Sequence, residues 1–126
     1  MAEETKKLLV VEDDKALIEA MKDRFEQEGF EVFTAVNGED GVKVAKAEHP
    51  DLILLDVMMP KLNGMEALAL LRQDKWGKDV PVFVLTALDA EDKRREAAQM
   101  GADYIVKSAT KLEVVVEKVK EQLGIA

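Results

Sequence analysis

Cysteine is absent from the 126-residue chain. That removes disulfides, zinc–thiolate sites and thiol chemistry from consideration. Long apolar runs are missing too. The longest uninterrupted one, Ala67–Leu71, falls far short of a membrane-spanning helix. The opening stretch Met1–Lys7 lacks the apolar core of a secretory signal, so a cytoplasmic location is expected. Basic charge is in deficit. Lys and Arg number 18 against 26 Asp and Glu, a net charge of −8, which disfavours direct, non-specific binding to nucleic acid. Beyond that, excess acidic charge is an ordinary solvated surface.

What is present is a globular composition, 48% hydrophobic and 35% charged. The length suits one domain, residues 1–126, able to bury roughly two-thirds of its unfolded surface. No segment has the look of a linker, and the chain stops soon after its last helical pattern, so no attached effector domain is expected.

Short apolar runs recur along the chain: Leu8–Val11, Phe30–Phe33, Leu52–Leu55, Val82–Leu85 and Tyr104–Val106. Continuous rather than alternating runs suit strands buried on both faces of a parallel sheet. Strands are predicted at about 7–12, 30–35, 51–56, 80–86 and 104–107.

Helical patterns lie between them. Leu17, Ile18, Met21 and Phe25 share a face before a stop at Gly29. Asn37 is placed to cap a helix carrying Val42, Val44 and Ala45. Ala67, Leu68, Leu70 and Leu71 mark a third. Asp89 can cap a weakly apolar fourth with Ala97, Ala98 and Met100. Thr110 and Glu113 have capping-box spacing before the stripe Leu112, Val115, Val116, Val119 and Leu123. The leucine-rich repeat pattern is absent, which excludes a solenoid. Strict alternation of strand and helix predicts an α/β, doubly wound parallel sheet.

Ligands in such sheets bind beyond the carboxyl ends of the strands, so the residues that end each strand matter most. Strand one ends in Glu12-Asp13-Asp14, strand three in Asp56, strand four in Thr86-Ala87 and strand five in Lys107; strand two ends without a reactive group. Carboxylates converging to about 4 Å repel by roughly 4 kcal/mol per pair at an effective dielectric of 20. One lysine does not offset that, so a carboxylate must hold a proton or a cation must sit among them. Oxygen donors alone favour a hard ion, Mg²⁺ or Mn²⁺. Each residue also has an ordinary reading taken singly. The acidic pair can serve a helix start, Asp56 a turn, Thr86 a strand end and Lys107 a solvated surface. Their joint arrangement at one rim is what points to a site.

In these motifs the sequence resembles the response-regulator receiver family. They are Leu8–Asp14, then Asp51–Pro60 with Asn63-Gly64-Met65-Glu66, then Val80–Ala87, and Gly101–Lys107. The match is nearly full-length and in order. The resemblance implies a flavodoxin-like (βα)5 fold with strand order 2-1-3-4-5. It implies that Asp56 is the phosphorylated aspartate. Asp13 and Asp56 would ligate the metal directly, Glu12 through water, and the backbone carbonyl of Met58 would complete the protein's share. Lys107 would pair with the aspartate and then with the phosphoryl oxygen. Thr86 would be the switching hydroxyl and Tyr104 the aromatic that follows it. The family usually has proline after this lysine, often behind a cis bond. Here Ser108 stands there, and a cis bond before a non-proline residue costs about 2.5–4 kcal/mol, so a trans bond with a shifted loop, or strain, is expected. Asn63 stands where the family often has Asp, and still suits a turn before Gly64.

The implied reaction is transfer of a phosphoryl group to Asp56 from a sensor histidine kinase or phosphotransfer protein. The sole histidine, His49, is expected on the surface at the far end of strand three, so the donor must come in trans. The chain is thus an acceptor with slow self-dephosphorylation rather than a turnover enzyme. Its helix 4, strand 5 and helix 5 would face a downstream partner, with the chain monomeric or a phosphorylation-dependent homodimer. Met58 and Leu88 would flank the pocket and hinder water, lengthening the phosphoryl lifetime; Met58→Asn should shorten it. Three rivals share features of this pattern. A flavodoxin-type module needs a phosphate loop where this chain is acidic. An aspartyl phosphatase usually shows Asp-x-Asp, whereas Val57 and Met58 follow Asp56. A receiver-like interaction module that does not switch is the third.

Overall fold

The computed structural model describes residues 5–57, 63–87, 91–107 and 110–125. The elements alternate as β1 (Lys7–Val11), α1 (Lys15–Gln27), β2 (Glu31–Ala35), α2 (Gly38–Glu48), β3 (Leu52–Asp56), α3 (Gly64–Gln73), β4 (Val82–Thr86), α4 (Glu91–Gln99), β5 (Asp103–Val106) and α5 (Leu112–Leu123). All four ladders are parallel and the order is β2-β1-β3-β4-β5. The doubly wound (βα)5 fold is as the sequence and its resemblance implied.

The central strands β3 and β4 are buried at every residue, as helices on both faces require. Their two faces feed separate cores. Leu9, Val11, Ile53, Leu55, Val82 and Val84 pack with residues of α2, α3 and α4. Leu8, Val10, Leu52, Leu54, Phe83, Leu85 and Ile105 pack with α1 and α5. Alternation along each strand therefore decides which helical layer a side chain meets.

Local chemistry explains most boundaries. Asn37 caps α2 by accepting from the Asp40 N–H at 2.8 Å. Gly29, just past α1, has φ 97°, the left-handed conformation that glycine adopts without a Cβ clash. Strand β4 starts at Val82 rather than at residue 80, because Pro81 has no N–H for a ladder; its carbonyl still accepts from Ile53 at 3.0 Å.

Three expectations fail. The cap of α5 is Lys111, without a side-chain bond, not the Thr110 and Glu113 box. The Thr110 N–H turns back toward the Lys107 carbonyl (3.4 Å), which delays the helix by one residue. Leu70 lies on the solvent side of α3, 40% exposed. Only Ala97 of α4 is buried: Ala98 is exposed, while Met100, one residue past the helix end, packs partly buried against the same core. Asp89, expected to cap α4, lies outside the described residues.

His49 is exposed, as expected, and closes α2 in a left-handed conformation. Its ring stacks on Trp76, centroids 4.6 Å apart and planes 6° from parallel. This pair sits at the amino edge of the sheet, opposite the strand ends considered next. No helix among the described residues is long and apolar enough to cross a membrane.

Candidate functional site at the carboxyl edge of the sheet

Register brings the strand ends together. Val11 pairs with Leu55, Asp56 with Leu85, and Thr86 with Val106. Alternation then sorts the side chains. Glu12 continues the parity of Leu8 and Val10, Asp56 that of Leu52 and Leu54, and Lys107 that of Ile105, all on the α1/α5 face. Thr86 continues Val82 and Val84, on the α2/α3/α4 face.

Glu12, Asp13 and Asp56 each offer an oxygen within 4.8 Å of the others. Glu12 and Asp56 are buried, 2% and 3% exposed, while Asp13 is open to solvent. Lys107 stands between the buried pair, its Nζ donating to Glu12 Oε1 at 2.9 Å and to Asp56 Oδ2 at 3.2 Å. Burial works against its charge. The hydrogen bond to Glu12, the charges of Asp56 and Glu12, and the bond to Asp56 outweigh that, so its pKa is raised above the usual lysine value. The reach of Lys107 is thus fixed despite the missing proline. Ser108 lies outside the described residues, and no cis bond occurs among those described.

Asp14 plays a part that the sequence did not single out. It caps α1, its Oδ1 accepting from the Ala16 and Leu17 N–H groups at 3.1 and 3.3 Å. Its own N–H donates to Glu12 Oε2 at 3.1 Å. Both Glu12 oxygens are therefore held by the protein. The signal was available in sequence as an Asp one residue before a helical pattern, but it was hidden among three consecutive acids.

Gly64 was likewise underread. It begins α3 and its N–H donates to the Val57 carbonyl at 3.1 Å. A Cβ there would run into the Asp56 carbonyl and come within 2.7 Å of Val57 Cα. Asn63 caps the same helix in a reciprocal box with Glu66, at 3.0 and 3.1 Å. The start of α3 is thereby pressed against the end of β3.

Thr86 is buried, 1% exposed. Tyr104 pairs with Val84, one pleat back from the Thr86–Val106 pair, on the same face. The Arg94 guanidinium lies over the Tyr104 ring, 4.6 Å from its centroid. Met58 and Leu88 lie outside the described residues.

The donor set fits a hard divalent cation. Its carboxylate oxygens come without His or Cys. Counted as ionised, three carboxylates against one ammonium leave a charge of −2, which a dication cancels.

Known proteins agree with this architecture. The response regulator receiver domain family matches residues 8–120. The alkaline phosphatase synthesis transcriptional regulatory protein PhoP of Bacillus subtilis is 42% identical over 110 residues, 86% of this chain but 45% of that protein. The chain thus spans under half the length of the curated relatives it matches. A CheY-like receiver domain protein from Methanospirillum hungatei has the same fold, with a TM-score of 0.88 at 29% identity, over 96% of this chain and 95% of that one. CheY in a CheX-CheY-BeF3-Mg²⁺ complex from Borrelia burgdorferi has a TM-score of 0.85 at 27% identity, over 94% and 89%. With a family match running from the first strand into the last helix, the chain belongs to the response regulator receiver domains.

Proposed function

We propose that Asp56 accepts a phosphoryl group from a phosphohistidine of a sensor kinase or phosphotransfer protein, and that this resets the surface of α4, β5 and α5. The carrying observation is the convergence of Glu12, Asp13 and Asp56 within 4.8 Å, with Lys107 bridging the buried pair. A carboxylate oxygen of Asp56 bonds to phosphorus as the bond to the donor's imidazole nitrogen breaks, and the electron pair leaves with that nitrogen. The transition state of such transfers is loose, so positioning and charge stabilisation carry the rate.

Asp13 and Asp56 would hold Mg²⁺ or Mn²⁺ directly, Glu12 through water, and the Met58 carbonyl would complete the set. The ion supplies charge neutralisation for the incoming phosphoryl oxygens. Lys107 exchanges its Asp56 contact for a phosphoryl oxygen while keeping Glu12. Asp14 and Gly64 hold Glu12 and Asp56 where these contacts need them.

Thr86 donates to the new oxygens, drawing the end of β4 inward, and Tyr104 follows on the same face. The receiving surface has a recess of about 610 Å³ lined by Arg94, Ala98, Tyr104, Ile105, Lys118 and Gln122. It is our candidate face for a downstream protein, or for a second copy once phosphorylated. Residues 1–126 form the proposed receiver domain, and this domain makes no direct contact to nucleic acid. A non-switching interaction module has no need of three converging carboxylates around a lysine.

Incubation with a small phosphodonor and Mg²⁺, followed by intact mass, tests the reading. One added phosphoryl group is expected on the wild type and none on Asp56→Asn. An unmodified wild-type chain with every donor tried would sink it.

A further inference from the structure

Helix α4 has little apolar surface to hold it. Ala97 is its one buried residue, and no basic side chain stands in its last turn to meet the partial negative charge at its carboxyl end. That charge is met from another helix. Arg72, in the last turn of α3, donates from Nε to the Met100 carbonyl at 2.7 Å and from Nη2 to that of Gly101 at 3.3 Å. Its Nη1 donates to the carbonyls of Gly77 and Val80, at 2.8 and 2.7 Å. One guanidinium therefore ties α3, the loop leading into β4 and the turn between α4 and β5. All four acceptors are main-chain carbonyls, and only the planar fork of arginine reaches so many at once.

The turn is closed on its other side as well. The N–H groups of Met100, Gly101 and Ala102 return to carbonyls of α4, those of Glu96, Ala97 and Ala98, at 2.9–3.3 Å. Gly101, at φ 69°, supplies the left-handed step. At the other end, Glu91 pairs with Arg95 at 3.6 Å and Lys93 with Glu96 at 3.8 Å, both inside the helix, and the Arg94 guanidinium lies over the Tyr104 ring of β5, a side-chain contact rather than a set of main-chain bonds.

We propose that Arg72 is a positioning residue that makes the carboxyl end of α4 a fixed pivot, so that the helix answers a change at Thr86 by swinging its amino end rather than by sliding. The pivot stands on the free structure alone; the swing rests on the phosphoacceptor reading above.

Residue-resolved hydrogen exchange on the full chain tests both. In the free protein, Arg72→Gln should speed exchange at Met100, Gly101 and Ala102 about tenfold, with the amides of β1 and β3 unchanged. Arg72→Lys, which keeps the charge but not the fork, serves if the glutamine variant does not fold, and a smaller acceleration is expected. Wild-type rates at those amides in a folded variant overturn the pivot.

For the swing, beryllofluoride with Mg²⁺ stands in for the phosphoryl group, and its bound ¹⁹F signal reports occupancy independently. Once it is bound, exchange should change at least about threefold at Glu91–Arg95 and fade to nothing by Gly101. In Arg72→Lys the change should extend through Gly101. A uniform change along the wild-type helix, or none, overturns the swing. A missing bound ¹⁹F signal counts against the phosphoacceptor reading and removes the swing with it, while the free-protein exchange still decides the pivot.

Discussion

Lys107 lies between two buried carboxylates, and its removal exposes what each owes to it. Lys107→Met leaves Glu12 and Asp56 facing each other without their shared cation. We expect a loss of about 2 kcal/mol in metal-free buffer, since an unpaired buried charge is costly and the site is only partly open to solvent. Urea unfolding at neutral pH measures it. The pH dependence has a definite sign. The pKa of Lys107 is raised on folding, so its contribution is complete below the ordinary lysine value of 10.5 and is lost as pH climbs through the shifted one. The wild type should therefore show an alkaline loss of stability that Lys107→Met lacks; parallel alkaline curves would contradict the assignment. At this scale the sequence was informative about identity and weak about partnership. Glu12, Asp13, Asp56, Thr86 and Lys107 announced themselves by ending strands. That Lys107 sits closer to Glu12 than to Asp56, or that Asp14 holds Glu12, depends on side-chain directions that no spacing rule contains.

Among the elements, α3 governs the site most closely, because its first residue touches the backbone of Asp56 and Val57. Gly64→Ala should destabilise the fold by about 3 kcal/mol through overpacking against main chain that has no room to yield. It should also slow phosphorylation by displacing Asp56; unfolding midpoints and transfer rates would together show whether both occur. A second element-level tie joins α1 to α5, where Lys120 bonds to Glu28. The pKa of Glu28 is lowered, chiefly by the hydrogen bond from Lys120. The pair's contribution is present above the ordinary value of 4.5 and fades as the pH falls below it. Carboxyl titration by NMR should find Glu28 returning toward the ordinary value in Lys120→Ala. Strand cores and the Asn37 cap could be read from pattern because apolar runs and N-caps are local. The start of α5 could not. Capping-box spacing at Thr110 was outcompeted by a turn toward Lys107, a choice made by the loop's path. The exposure of Leu70 reflects the same limit, since four apolar residues cannot all face one narrow contact.

Across the whole molecule, the sheet order came from resemblance rather than from periodicity, which fixes strands but not their neighbours. That order makes the site, because it sets the ends of β1, β3 and β4 side by side. The site should in turn report on the whole fold. An ion that binds the folded chain alone stabilises it by about 2.7 kcal/mol at one hundred times its Kd. Mg²⁺ should raise the unfolding midpoint of the wild type, a chelator should reverse the rise, and Asp13→Asn should abolish it. An equal rise in Asp13→Asn would move the ion elsewhere. Trp76, the chain's lone indole, is stacked on His49 beyond the amino ends of the strands. Its intrinsic emission should therefore be nearly blind to metal or phosphoryl occupancy, yet lose its imidazole neighbour when the chain unfolds. Folding and unfolding kinetics can then be followed optically in loaded and empty protein with the same native baseline, while ligand occupancy calls for a dye or label placed near β5.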